Sequence, residues 1–179
     1  AFSIIGPLWY DDLEGGAPGW THGNSQGSVD NWALVTTQSH SPAHSWFAAG
    51  PASTNINDLT TPAIAIPGSA TNLNLSFWHR YDFQSERDGG VLEFSVDAGP
   101  WFDVTASGSG AAFVTGGYNA TFANTGNPNT RNPLAPRIGG RRQFDRQVDR
   151  PLGSDAHLPD HVEINQAVPD LRIVYPRNT

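Results

Sequence analysis

Apolar and polar residues alternate with a period of two in several short stretches, which is the pattern of half-buried β-strands. The clearest is TNLNLSFWHRY (71–81), where Leu73, Leu75, Phe77 and His79 point one way and Asn72, Asn74, Ser76, Trp78 and Arg80 the other. One face belongs to a core and the other to water. VLEFSV (91–96) places Leu92, Phe94 and Val96 on one side and Val91, Glu93 and Ser95 on the other; WFDVT (101–105) follows it. The intervening Asp97-Ala98-Gly99 predicts a hairpin, with Gly99 supplying the positive φ of a short loop. NWALV (31–35), HSWFAAG (44–50) and PAIAIP (62–67) are further short strands, spaced as in an all-β sandwich.

The pattern weakens after the hairpin. Residues 106–136 are rich in Gly, Ser, Asn and Thr, with only AAFV (111–114) and YNATF (118–122) as weak strands, so a long loop is expected. Beyond Pro136 charged residues crowd in until HVEI (161–164) and LRIVY (171–175), and RRQFDRQVDRPLGSD is compatible with a short helix or a loop. There is no internal repeat.

Composition agrees with strands and turns. The 179 residues fit one domain, long enough to bury a core without a metal or disulfide staple, and 19 Gly and 14 Pro leave few windows of helical length. Cysteine is absent, which removes disulfide frameworks, zinc knuckles and thiol nucleophiles. There is no apolar run long enough for a membrane span, and AFSIIGPLWY lacks a signal sequence's basic start, as in a mature, processed or excised chain. Net charge is −7, and all ten basic residues are Arg, the first at Arg80. Such a surface disfavours nucleic acid and anionic membranes and favours divalent cations. The Arg-rich stretch 131–150 reads as a solvated loop.

The landmarks DDLEGGAPGW, NWALV, SPAHSWFAAG, LTTPAIAIP, NLNLSFWHRYDF, DGGVLEFSVDAGPWFDV and GGYNATF stand in one order. That order resembles secreted jelly-roll domains related to MAM domains and reelin subrepeats, as attached to bacterial metallopeptidases of the immune-inhibitor-A type. The resemblance covers about residues 9–134. Beyond Pro136 the chain reads APRIGGRRQFDRQ and departs from the family's ending, so the role of 137–179 is left open.

The resemblance implies an all-β jelly-roll sandwich of two antiparallel sheets with long loops. It also implies a structural calcium ion near the first strand and a central hairpin loop, held by Glu14 and Asp88, with Asp12 and Glu86 as secondary ligands. Carboxylates and backbone carbonyls are the oxygen donors that calcium requires. The bland reading of DDLEGG and ERDGG is a pair of polar turns.

Other motifs point to scaffold. Ser95 to Trp101 approximates a sialidase Asp-box without its Thr, a folding device in which the Asp side chain bonds the turn. His40 and His44 have the spacing of a zinc-protease helix, but Pro42 lies between them and no Glu follows His40. His79 is expected in the core. Trp20, Trp32 and Trp46 suit core positions, while Trp78 with Arg80 beside it is the candidate ligand platform. Asn74 and Asn119 begin glycosylation-like triplets.

The expectation is thus a non-catalytic, calcium-stabilised accessory or adhesion module of an extracellular protein. Its expected partners are a glycan or an extracellular protein, and the catalytic domain of the parent. The second reading is a carbohydrate-binding, lectin-like module using exposed aromatics.

Overall fold

The computed structural model describes residues 7–50, 53–68, 70, 73–83 and 87–121, together with the backbone of 136–137, 141–142, 161–165 and 170–177. The fold is all-β, with no helix among the described residues. In chain order the strands are β1 (Thr21–Gln26), β2 (Trp32–Val35), β3 (Ser45–Ala48), β4 (Asn55–Thr60), β5 (Asn74–Trp78), β6 (Tyr81–Asp82) and β7 (Val91–Ser95). They continue as β8 (Phe102–Asp103), β9 (Phe113–Thr115), β10 (Ala120–Thr121), β11 (Pro136–Arg137), β12 (Arg141–Arg142), β13 (His161–Asn165) and β14 (Asp170–Arg177).

Every pairing is antiparallel. One sheet runs β1-β4-β14-β7-β8 and a second β5-β13-β9, while β2-β3, β6-β12 and β10-β11 form two-stranded ribbons. Leu92 and Phe94 of β7, with Val104, form the core, and Leu75, Phe77 and Phe113 from the second sheet pack against them. The two sheets therefore bury side chains between them as a sandwich does. Leu92 and Val104 are 1% and 0% exposed, where each aliphatic side chain contributes roughly 1.5–3 kcal/mol.

On β5 and the residues after it the expected alternation holds: Leu73, Leu75, Phe77 and His79 are half-buried, and Asn74, Ser76, Trp78 and Arg80 exposed. His79 lies in a row of rings, 5.6 Å from Phe77 and 5.3 Å from Tyr81. The β2, β3, β13 and β14 strands coincide with the expected stretches, and β7 pairs with β8 as expected. RRQFDRQVDRPLGSD lies outside the described residues apart from Arg141 and Arg142 in β12.

Three expectations change. PAIAIP (62–67) is extended but unladdered, because Pro62 and Pro67 have no N–H to donate. The strand lies just upstream at β4, where NINDLT shows no clean amphipathic signal. Its Asn55 is 1% exposed and donates to the Val29 carbonyl at 2.6 Å and to Asn57 Oδ1 at 2.8 Å. Gly27 (φ +93°) is required there, since a Cβ would meet the Thr54 carbonyl oxygen at 2.9 Å and overlap the Asn55 amide.

Val96, read as core, is 44% exposed because it opens the hairpin turn. Within that turn Asp97 (φ 51°) and Ala98 (φ 57°) take the positive values, and Gly99 does not. Two central residues with positive φ make the type I′ geometry, whose twist matches the flanking strands. The Gly99 amide donates to the Val96 carbonyl at 2.9 Å, and Ser95 Oγ donates to the Gly99 carbonyl at 2.8 Å. Ser95 thus closes the turn in the place expected of Asp97.

Candidate functional site

The acidic stretch before β1 folds back on itself through its own side chains. Asp11 Oδ1 accepts from the Leu13 amide at 2.7 Å and Asp12 Oδ1 from the Glu14 amide at 3.1 Å, two successive Asx turns. Asp11 Oδ2 accepts from the Trp20 indole N–H at 2.8 Å. The same turn then fastens to the loop between β2 and β3. Glu14 Oε1 accepts from the Ala43 and His44 amides, each at 2.9 Å, and Oε2 lies 2.7 Å from His44 Nδ1. Ser41 Oγ adds a bond to the Asp12 carbonyl at 3.0 Å.

These donors hold the Glu14 carboxyl down at about 2, against 4.5 for an ordinary glutamate; the His44 imidazole is the largest cause, followed by the two amides. A carboxylate holding an imidazole is also how a catalytic base is oriented. Here the neighbouring hydroxyl, Ser41, is directed at a main-chain carbonyl. The sequence treated His44 only as a spacing partner of His40; the two part in the fold.

A second pair flanks the first. His22 Nδ1 is 2.7 Å from Asp30 Oδ2, and Asp30 Oδ1 accepts from the Trp32 amide at 3.1 Å. The His22 ring is 5.2 Å from Trp46, which is 6.1 Å from Trp20, itself 6.0 Å from Trp9. All these rings are mutually tilted, as in a small aromatic core. Trp32 is buried and Trp20 and Trp46 half-buried.

Of the residues assigned to calcium by resemblance, Asp12 and Glu14 share the first turn. Asp88 is buried, 9% exposed, just before β7. Glu86 lies outside the described residues. Among the described residues no three His, Asp or Glu side chains gather as a metal-holding group. The donor chemistry suits calcium, but both Glu14 oxygens already hold N–H donors.

The expected platform is built differently from a bare aromatic. Trp78 is 37% exposed, and the His40 ring lies parallel to it, 3.9 Å away at 10°. Arg80 Nη1 donates to Gln38 Oε1 at 2.6 Å. Burial lowers the His40 pKa below the usual imidazole value.

Tyr118 is a residue that sequence reading missed. Its hydroxyl accepts from the Leu92 amide at 2.8 Å and lies 3.2 Å from both the Leu92 carbonyl and Asp103 Oδ2. Only the aromatic in GGYNATF hinted at it.

Comparison of the chain with protein-family models, curated proteins and solved structures finds no match.

Proposed function

We propose that this chain is a non-catalytic accessory or adhesion module of a secreted protein, a calcium-stabilised jelly-roll domain of the MAM-like kind. The observation that supports a non-catalytic role is the use made of the ionisable groups near the first turn. Asp11, Asp12, Glu14 and Asp30 accept from main-chain amides, an indole and two imidazoles, so their charge locks turns together. The polar loops of such a scaffold suit contact with a partner.

Calcium rests on the resemblance and on the acidic net charge. By the resemblance Glu14 and Asp88 would hold the ion, with Asp12 and Glu86 as secondary ligands, and Glu14 would join only by releasing His44. When bound, the ion would tie its loops together. The test is a melting curve of the full chain with calcium and with chelator, for the wild type and Asp88→Asn. A wild-type midpoint several degrees higher in calcium, with that gain lost in the variant, is the expected result. Identical wild-type curves, with the metal-free state verified by elemental analysis, overturn the calcium reading.

A further inference from the structure

The outward face of β5 differs from an ordinary wet strand face. Asn74, Ser76, Trp78 and Arg80 project there at alternate positions, all exposed. A single exposed aromatic needs no explanation. This one is held in place: the loop between β2 and β3 sends His40 onto the Trp78 ring and Gln38 onto the Arg80 guanidinium. An indole and a guanidinium on the same face are thereby fixed before any partner arrives. Ordering one such side chain on binding otherwise costs about 0.5–1.5 kcal/mol.

We propose that this face, Trp78 with Arg80, Gln38 and His40, is a preorganised binding surface for a neutral oligosaccharide. Beside the face that His40 covers, the indole, 37% exposed, offers apolar area for the C–H face of a sugar ring. The guanidinium, with its fork of donors, and the Gln38 and Asn74 amides match vicinal hydroxyls. From Asn74 to Arg80 the strand direction runs roughly 20 Å, the scale of an oligosaccharide rather than a monosaccharide. The net charge of −7, with no basic residue before Arg80, disfavours sulfated or uronic glycans. His40 stacks on the indole at 3.9 Å, and partial desolvation lowers its pKa. It acts as a positioning residue. The inference deepens the reading of the chain as a non-catalytic contact module and depends on it.

The test is calorimetric titration of the full chain with cellohexaose, mannohexaose, xylohexaose and chitohexaose, and with a sulfated oligosaccharide as charge control. Saturable binding of at least one neutral hexaose is expected, weakened about tenfold or more in Trp78→Ala. His40→Ala should weaken it roughly three- to tenfold through lost preorganisation. Arg80→Ala, which leaves the aromatic in place, provides a second variant, and far-UV circular dichroism checks the fold of each. Binding of none of the neutral hexaoses, binding undiminished in both Trp78→Ala and Arg80→Ala, or preference for the sulfated sugar overturns the proposal. Release of reducing ends by the wild type would instead overturn the non-catalytic reading on which it rests.

Discussion

The Val96–Gly99 turn gives opposite expectations at two adjacent positions. Ala98 sits at φ 57°, where a Cβ crowds the following carbonyl at a cost of roughly 1–2 kcal/mol. Replacing it with Gly relieves that strain but adds about 0.5–1 kcal/mol of chain entropy lost on folding. The net expectation for Ala98→Gly is a gain of about 0.5–1 kcal/mol. At Gly99 the obstacle is contact: a Cβ would stand 2.9 Å from the Val96 carbonyl oxygen. That oxygen is held by the Gly99 amide, so it cannot retreat without opening the turn. Gly99→Ala should therefore cost about 1–3 kcal/mol. Urea denaturation followed by circular dichroism separates the two. With m near 2 kcal/mol/M, Ala98→Gly raises the midpoint by about 0.25–0.5 M at constant m. A stabilised Gly99→Ala together with a destabilised Ala98→Gly would refute the assignment of left-handed geometry to Asp97 and Ala98.

Tyr118→Phe removes the acceptor of the Leu92 amide and the hydroxyl shared by the Leu92 carbonyl and Asp103, and should cost about 1–3 kcal/mol in the same assay; a change under about 0.5 kcal/mol would mean water replaces the phenol. The Glu14 carboxyl is depressed from 4.5 to about 2, so its stabilisation is complete above pH 4.5 and is lost as pH falls towards 2. Melting curves between pH 7 and pH 2 should show that loss in the wild type and not in Glu14→Gln, and parallel curves for the two would contradict the Glu14–His44 staple.

Legibility in the sequence followed how a strand is covered. β5 has one core face and one exposed face, so its alternation was plain, and Trp78 and Arg80 fell on the exposed side as read. β4 lies between β1 and β14 and buries Asn55 and Asn57 along with Ile56 and Leu59, so polar residues occupy positions that pattern reading reserves for apolar ones. β1, THGNSQ, carries no large apolar residue and is held by its ladder to β4, which no local signal announces. The candidate sites divide in the same way. Carboxylates in DDLEGG were visible as polar turn residues, whereas their partners Ala43 and His44 lie about thirty residues onward and meet Glu14 only in the fold. His40 against Trp78 was hidden for the same reason.

The C-terminal stretch supplies strands central to the two larger sheets. β14 lies between β4 and β7, and β13 between β5 and β9. Without β14 the larger sheet separates into β1-β4 and β7-β8, because no other strand joins those halves among the described residues. Leu171 to Val174 face partners on both edges or within one ladder, with Ile173 opposite both Leu59 and Leu92, two of the most buried residues of the fold. A strand in that position has both backbone edges satisfied, which favours a β-branched, apolar run. That is why LRIVY could be read as a strand from its own residues. The existence of β13 and β14 was therefore legible from their own residues, whereas their place at the centre of each sheet is set by ladders to strands far upstream in the chain.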